Sequence, residues 1–247
     1  AMAAGSVDVG VSSGTGMAFT AKGAPVLAVC EYEAKMYPTA IVVPWDSPVH
    51  TLADLKGKRI GVSSPGSFTD WLATQLAKQR GWGPEGVTNV AVGNDMASRV
   101  AGFRTPAIDA DIFSTAEIFA LEEKHEGRLL ADAADFTGNM AAGAIFATKP
   151  AIANRPDDIR AFLAGWLETI AFMRQHKDEV TQAESKLTGF STAVMAKDYD
   201  LVIASFSKDC AFDADSLTNL KAALVDQKAL SDTADMKTLY TDAFMPK

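Results

Sequence analysis

Two short segments rich in serine, threonine and glycine carry the side chains with the clearest chemical potential. Each segment follows a run of β-branched residues typical of a strand and precedes a stretch typical of a helix. A strand-to-helix turn leaves backbone N–H groups unpaired at the positive end of the helix dipole, so it can bind an anion. The candidate binding residues are Ser12, Ser13 and Thr15 in the first segment, and Ser64, Ser67, Phe68 and Thr69 in the second.

Both segments also have a purely structural interpretation. Ser67 and Asp70 have the spacing of a helix cap, in which the serine hydroxyl serves the helix and not a ligand. In the same way, Ser12 and Ser13 could hydrogen-bond only within their own turn. The presence of two such turns favours the ligand-binding interpretation.

A nucleophilic serine is another possibility for the first segment. Residues 10–14 (GVSSG) match the G-x-S-x-G pattern of α/β-hydrolases, with Ser12 at the nucleophile position. The required base would have to be His125 or His176. Both histidines lie in charged helical stretches typical of exposed surface, so the hydrolase is the weaker alternative.

The sequence predicts neither a metal site nor a cofactor. Its two cysteines and three histidines are not placed at the spacing of metal ligands, and it contains no Walker A motif. A disulfide between Cys30 and Cys210 would suit an oxidising compartment, but their spacing does not decide whether they pair.

Several charged residues fall where a structural role is expected. Asp8, Asp109 and Asp111 lie on apolar strands, where hydrogen bonding to nearby backbone is the expected role. Arg99 and Arg104 have two interpretations: a charged fork for an anionic ligand, or ordinary surface arginines on a helix.

Length and composition limit the classes of protein. The chain has 247 residues and a formal net charge of −8, and an acidic chain of this kind repels nucleic acid. No apolar run approaches the roughly 20 residues that span a bilayer. Strand patterns alternate with helical patterns up to Thr148, and only helical patterns follow. We therefore expect an α/β protein with a helical C-terminal wrap.

An internal repeat suggests two lobes. Gly10–Ser13 and Gly61–Ser64 are the same tetrapeptide, GVSS, in the same strand–turn–helix context. We expect residues 1–46 and 139–247 to form lobe I and residues 47–138 to form lobe II. The chain would cross between lobes at two strands, with a hinge in residues 37–44 and 140–148, and would close on a ligand.

Five stretches of the sequence resemble a known family, the substrate-binding proteins of ABC importers for nitrate, sulfonates and taurine. TLADLKGKRIGVSS, at residues 51–64, is the most specific of them. The others are residues 1–14, 67–81, 104–113 and 154–177, so the likeness covers nearly the whole chain. Family members begin with a strand, a helix and a second strand before the segment that matches residues 1–14. We therefore expect these elements to be missing from this sequence.

The resemblance implies a fold, a function and further site residues. The fold is a two-lobed type II periplasmic-binding-protein fold with two crossing hinge strands. The function is capture of a small anionic solute, such as a sulfonate, nitrate or carboxylate, between the lobes and its delivery to an ABC permease. The protein would be a periplasmic monomer without enzymatic activity. The resemblance adds Ser114 and Asn139 to the ligand-binding residues.

One alternative comes from the same fold. A thiamine-pyrimidine synthase that this family also resembles is an enzyme, and it needs a histidine and iron-binding cysteines in its site. The wide separation of Cys30 and Cys210 and the peripheral position of the histidines favour the binding protein.

Overall fold

The computed structural model describes residues 1–33, 38–83, 85–137 and 142–245. By its internal contacts the chain divides into two units. The first unit contains Ala1–Tyr37, Asn139–Lys177 and Val202–Lys247; the second contains Pro38–Gly138 and Asp178–Leu201. Among the described residues, every helix is too short or too polar to cross a bilayer.

The first unit is built on a three-stranded sheet. Its strands are β1 (Val9–Ser13), β2 (Val26–Glu33) and β8 (Gly143–Thr148), in the order β1-β8-β2. The central strand β8 is antiparallel to both neighbours, and all six of its residues are buried. Its helices are α1 (Met17–Ala21), α6 (Lys149–Asn154), α7 (Pro156–Gln175) and α10 (Ala214–Asp226). The buried side of α7 inserts Ile159 and Leu163 into the core against Ile145.

A disulfide between Cys30 and Cys210 joins β2 to the segment before α10. Both cysteines are fully buried in the core of the first unit. The sequence left this pairing open.

Two buried glutamates on β2 bind the same C-terminal segment. Glu31 accepts hydrogen bonds from the Ser216 hydroxyl and, at 2.8 Å, from the Asp213 N–H. Glu33 accepts one from the Ser205 hydroxyl. Burial removes water from both carboxyls and raises the pKa of each from 4.5 to about 7.

The second unit is built on a five-stranded sheet in the order β5-β4-β6-β3-β7. Strand β4 is parallel to β5 and β6, whereas β3 is antiparallel to β6 and β7. The strands are β3 (Thr39–Pro44), β4 (Arg59–Val62), β5 (Thr88–Ala91), β6 (Ala110–Ser114) and β7 (Gly127–Asp132). The helices between them are α2 (Phe68–Gln79), α3 (Met96–Arg104), α4 (Thr115–Glu123) and α5 (Ala134–Thr137).

Helices α8 (Lys177–Thr188) and α9 (Thr192–Ser205) cross the boundary between the units in sequence. The sequence prediction placed all of 139–247 in lobe I, but the contacts group 178–201 with the second unit. The physical reason is apolar packing, because Val194 and Met195 of α9 are buried against Ala116 and Ala120 of α4.

The predicted hinge segments correspond to β3 and β8 over their described residues. Each of these strands is paired on both sides within its own unit. By this division the chain passes between the units at Tyr37–Pro38 and at Gly138–Asn139, and again at Lys177–Asp178 and at Leu201–Val202. The described parts of β3 and β8 are thus central strands, and Tyr37 and Met140 of the predicted hinge lie outside the described residues.

Candidate functional site

The carboxyl edge of the second unit's sheet contains a topological switch point. From β4 the chain runs through α2 to β5 on one side, and from β6 it runs through α4 to β7 on the other. Because the two connections leave in opposite directions, a crevice opens between the ends of β4 and β6, and ligands of open α/β sheets bind in such crevices. The predicted residue Ser64 lies two positions after the end of β4, and Ser114 is the last residue of β6.

The turn between β4 and α2 is organised around the Thr69 hydroxyl. This hydroxyl accepts a 2.8 Å hydrogen bond from the Ser63 N–H. It also lies 3.1 Å from the hydroxyl of Ser63 and 3.1 Å from that of Ser67. Ser67 caps α2 by accepting a 3.2 Å hydrogen bond from the Asp70 N–H. The cap predicted from the sequence is therefore present, and it occupies hydroxyls that were also predicted to bind the ligand.

Asp70 places a carboxylate beside this turn. One of its oxygens accepts a hydrogen bond from the Gly66 N–H at 2.9 Å, and the other accepts one from Asn89 Nδ2 at 2.7 Å. Within the described part of the chain, the N–H groups of Phe68 and Thr69 at the start of α2 have no acceptor. These two amides can donate to a ligand at the positive end of the helix dipole.

The remaining predicted residues of this turn differ in exposure. Ser64 is exposed, whereas Phe68 is half-buried and stacks on Trp71 with ring centroids 5.8 Å apart. The Phe68 ring therefore forms an apolar wall beside the free amides.

Ser114 lies at the junction of β6 and α4, beside a buried ion cluster. Its N–H and its hydroxyl both donate to the same Glu117 oxygen at 2.9 Å. The other Glu117 oxygen accepts from Arg99 at 3.2 Å, and Arg99 also donates to Asp111 at 2.9 Å. The Ser114 hydroxyl is therefore oriented by a carboxylate.

Neither interpretation of Arg99 from the sequence is correct. Its side chain is buried, lies over the Phe113 ring at 3.7 Å and is bound to two carboxylates, so it is neither a free anion fork nor a surface arginine. It links α3 to β6 and α4 through Asp111 and Glu117. Arg104, in contrast, is an exposed arginine paired with Glu126 at 2.5 Å.

The predicted structural aspartates mostly pair with arginine. Asp109 accepts from both the backbone and the guanidinium of Arg59, which lowers the pKa of the Asp109 carboxyl. Asp111 accepts from the Ile112 N–H as well as from Arg99. The Asp8 carboxylate forms an exposed ion pair with Arg155, where a backbone partner was predicted.

The first unit holds the other predicted turn. Ser12 and Ser13 end β1, and a 3-10 turn over Gly14–Gly16 leads into the five-residue helix α1. The Ser13 and Thr15 hydroxyls hydrogen-bond to each other at 2.7 Å, and Ser12 is exposed. The remaining predicted residue, Asn139, lies outside the described residues.

The hydrolase alternative lacks its base in the described structure. His176 lies flat on Phe172 and its Nδ1 is 2.8 Å from the Phe172 carbonyl oxygen, while His125 contacts Trp45. Among the described residues, no hydrogen bond joins Ser12 to a histidine.

The described residues were also compared with the ligand sets that bind metal ions. These residues contain no group of three histidine, cysteine or acidic side chains that could hold a metal ion. Both cysteines are consumed by the disulfide, so they cannot serve as the iron-binding cysteines of the synthase alternative.

Sequence reasoning missed three residues of the second unit's edge: Ser63, Asn89 and Glu117. Glu117 was recognisable, because Ser114 and Glu117 have the S-x-x-E spacing of a capping box. Ser63 donates its N–H to Thr69 within the same turn, but no capping spacing marks this contact in the sequence. Asn89 of β5 reaches Asp70 of α2 from 19 positions away, so no local signal could identify it.

Known structures share this architecture. The periplasmic aliphatic sulphonate-binding protein SsuA of Escherichia coli is 20% identical and superimposes with a TM-score of 0.82 over 97% of this chain and 77% of its own. The alkanesulfonate-binding protein SsuA of Xanthomonas axonopodis pv. citri bound to MOPS is 20% identical and superimposes with a TM-score of 0.78 over 94% of this chain and 79% of its own. A desulfurization enzyme, DSZB, is 16% identical and superimposes with a TM-score of 0.70 over 96% of this chain and 84% of its own.

These identities establish the fold alone, and the predicted periplasmic-binding-protein fold is confirmed. No curated protein matches the chain. The family model described as NMT1/THI5 like matches residues 1–180, which is more than half of the chain. With the fold, the two serine-rich turns and this match together, the chain belongs to the NMT1/THI5-like family, as its resemblance to solute-binding proteins predicted.

Proposed function

We propose that this protein is an extracytoplasmic receptor for a small, singly charged oxyanion and that it delivers this solute to an ABC importer. The observation that carries the proposal is the start of α2 at the switch point, where the N–H groups of Phe68 and Thr69 are free. Two proteins of similar fold are sulfonate-binding proteins, and this supports an oxyanion as the ligand.

The charge of the ligand follows from Asp70. The N-terminus of a 12-residue helix attracts anions, but the Asp70 carboxylate in its first turn offsets part of that field. Asp70 also occupies the Gly66 N–H, so that amide is not offered to a ligand. A sulfonate, nitrate or carboxylate suits such a site better than a doubly charged phosphate, because a second charge would be repelled by Asp70.

Side chains around the free amides define the rest of the proposed site. Ser64 is exposed and can donate its hydroxyl, and Phe68 offers an apolar surface to an organic substituent of the ligand. Ser67 and Thr69 act chiefly by holding the turn, because their hydroxyls are already bound to each other. Ser12, Ser13, Thr15, Ser114 and Asn139 remain predicted contacts.

The compartment and the partner follow from the same proposal. A buried disulfide suits an oxidising compartment such as the periplasm. A receptor there would pass its solute to the transmembrane subunits of an importer, and it would bind the solute without changing it.

Calorimetric titration tests the proposal. Taurine, methanesulfonate, nitrate, acetate and phosphate are titrated into the wild-type chain and into Ser67→Ala and Thr69→Ala. We expect a singly charged anion to bind and both variants to bind it more weakly, because each loses a hydrogen bond that holds the turn presenting the Phe68 and Thr69 amides.

Ser191→Ala is the matched control. Ser191 caps α9 through a 3.2 Å hydrogen bond from the Val194 N–H, which equals the length of the Ser67 cap, but it lies at another helix. Unchanged affinity in both α2 variants would remove this turn from the site. Mass spectrometry of the recovered ligand separates a receptor from an enzyme, because only an enzyme would return a product.

A further inference from the structure

A second pocket lies at the edge of the second unit's sheet that is opposite to the switch point. It has a volume of about 700 Å³, within the roughly 300–1,000 Å³ of small-molecule sites. We call the pocket lined by Trp45, Lys58, Phe103 and Lys124 the amino-edge pocket, because the parallel strands β4 and β6 begin there. The four residues of β4, about 13 Å in length, separate it from the turn that leads into α2.

A fixed turn holds Trp45 in the wall of this pocket. The Ser47 N–H donates to the Pro44 carbonyl at 2.9 Å and closes the turn around Trp45. The guanidinium of Arg128, on β7, donates to the Ser47 carbonyl at 3.0 Å and ties the turn to the sheet. The Trp45 side chain is nevertheless 38% exposed. Because Trp45 lines the pocket, its exposed surface is available to a ligand.

His125 supports Trp45 from an unusual backbone conformation. Helix α4 ends with hydrogen bonds from the His125 N–H to the Glu122 carbonyl and from the Glu126 N–H to the Leu121 carbonyl. This pattern normally places glycine at the position of His125, whose φ is +53°. The imidazole contacts the Trp45 ring edge-on, with centroids 4.4 Å apart. A non-glycine residue in this conformation is uncommon, and such residues cluster at functional sites.

Apolar side chains line another part of the pocket. Val100 and Phe103 come from α3, and Ile108 lies two residues before β6. Val100 and Ile108 are buried, whereas Phe103 is half-buried and packs edge-on against Phe113 at 6.0 Å. A flat ring can pack against such a surface by edge-to-face or offset contacts. The lining therefore suits an aromatic ligand.

Two arginines of the pocket are already neutralised. The Arg59 guanidinium is 3.0 Å from the Asp109 carboxylate, and that of Arg104 is 2.5 Å from the Glu126 carboxylate. Both acids also line the pocket, so neither pair adds net charge to it. The other ionisable side chains determine the charge that a ligand meets.

Two lysines and one aspartate make up these remaining charges. Within the described part of the chain, Lys58 and Lys124 form no ion pair, and neither does Asp46. The pocket thus has an excess of positive charge in a chain whose formal net charge is −8. Lys58 is half-buried, which strengthens its attraction for an anion because less water screens it.

The geometry points to a second binding site in the amino-edge pocket, for a small aromatic molecule that carries one negative charge, such as an aromatic carboxylate. The ring packs against Trp45 and Phe103, and the anionic group is attracted by Lys58 and Lys124. A second negative charge would be repelled by Asp46. This inference is independent of the proposed function, because the pocket shares no residue with the α2 turn.

Nuclear magnetic resonance of the indole N–H groups tests the proposal on the full chain. The chain has four tryptophans, and Trp45→Phe identifies the Trp45 signal by its loss. Benzoate is the probe, and we expect it to shift this signal with a Kd of about 0.1–1 mM. Acetate lacks the ring and benzamide lacks the charge, so each should bind at least about threefold more weakly. A Trp45 signal that stays unmoved up to about 10 mM benzoate would overturn the proposal, and so would equal affinity for benzamide.

Charge removal tests the role of the lysines. Lys58→Gln combined with Lys124→Gln should weaken benzoate binding about fivefold. Lys56→Gln combined with Lys186→Gln is the matched control, because both lysines are exposed, lie outside the pocket and remove the same charge. Equal weakening in the two proteins would show that net charge alone attracts benzoate.

Thr69→Ala separates this site from the proposed α2 site. The variant alters the α2 turn, so the Trp45 shift caused by benzoate should be unchanged in it. Loss of the Trp45 shift in this variant would show that benzoate acts from the α2 turn, and the amino-edge site would then be wrong.

Discussion

The turns that start at Gly10 and at Gly61 share their first four residues, GVSS. Different interactions hold the two turns in place. In the first unit, β1 continues through Ser13 and leads to a five-residue helix without a side-chain cap. In the second unit, β4 ends at Val62 and the chain enters a 12-residue helix capped by Ser67. The residues after the shared tetrapeptide therefore decide which turn is rigid.

The difference extends to the hydroxyl groups. In the first turn, Ser13 and Thr15 hydrogen-bond only to each other among the described residues. In the second, Thr69 joins the hydroxyls of Ser63 and Ser67, and Asp70 fixes Gly66. Side-chain hydrogen bonds therefore hold the second turn more firmly than the first.

Removing the ion cluster beneath the second turn should have the largest effect. Arg99→Leu leaves the buried Asp111 carboxylate without its cation, which should reduce the free energy of unfolding by about 3–5 kcal/mol. Urea denaturation measures the loss.

Arg155→Leu in the first unit is the matched control for Arg99→Leu. Arg155 pairs with Asp8, but both side chains are about half exposed, so the loss should be at most about 1 kcal/mol. Equal losses in the two variants would show that burial does not distinguish the two ion pairs.

Two buried glutamates should make the stability of the first unit depend on pH. Glu31 and Glu33 have pKa values raised to about 7 in the folded first unit, so the folded state binds more protons than the unfolded state between about pH 4.5 and 7. The stabilisation from their neutral forms is complete below about pH 4.5 and is lost as the pH rises through 7, at about 1.4 kcal/mol per pKa unit for each group.

Hydrogen exchange measured at pH 5 and pH 8 checks this dependence. We expect weaker protection of β2 at pH 8, and Glu31→Gln should reduce the difference. Glu168→Gln, on the exposed face of α7, should leave it unchanged. In the second unit, the Arg59 guanidinium lowers the pKa of Asp109, so the stability from this pair is lost toward acid pH, whereas burial raises the pKa values of Asp111 and Asp198. A β2 segment that is better protected at pH 8 would contradict the assignment.

Replacing the central hydroxyl of each turn compares them directly. Thr69→Val leaves the Ser63 N–H without its acceptor, so we expect a loss of about 1–3 kcal/mol. Thr15→Val removes only a hydroxyl pair at a half-buried site, and about 0.5 kcal/mol or less is expected. Thermal unfolding of the two variants measures the difference, and a reversed order would show that the first turn is the more constrained one.

The smallest expected effect concerns the helix caps. Ser67→Ala should lower stability by about 1 kcal/mol, whereas Ser13→Ala should change it by only a few tenths, since α1 has no cap to lose. Chemical denaturation of both variants resolves the two values, and similar losses would mean that Ser13 stabilises α1 by another route.

Features encoded locally could be predicted from the sequence. The alternation of strands and helices and the Ser67 cap follow from residue periodicity and capping chemistry. Both features depend on residues that are near one another in the chain. The family resemblance added the periplasmic-binding-protein fold, and the ligand contact that it implied for Ser114 stays a prediction.

Features that depend on distant residues were missed. The burial of Arg99 results from pairing with Asp111 and Glu117 across the sheet, and nothing near Arg99 in the sequence distinguishes it from a surface arginine. The grouping of 178–201 with the second unit depends on the packing of α9 against α4. The Cys30–Cys210 pairing could not be predicted either, because the two cysteines are 180 positions apart and only the fold brings them together.

That disulfide determines the covalent topology of the chain. Its two cysteines are 180 positions apart, so the closed ring contains every residue of the second unit. Both departures of the chain into that unit, and both returns, lie inside the ring. A protease that cuts one peptide bond anywhere between Cys30 and Cys210 therefore leaves the molecule in one piece. The two fragments separate only after reduction, and until then the first unit retains both of its strand-bearing ends.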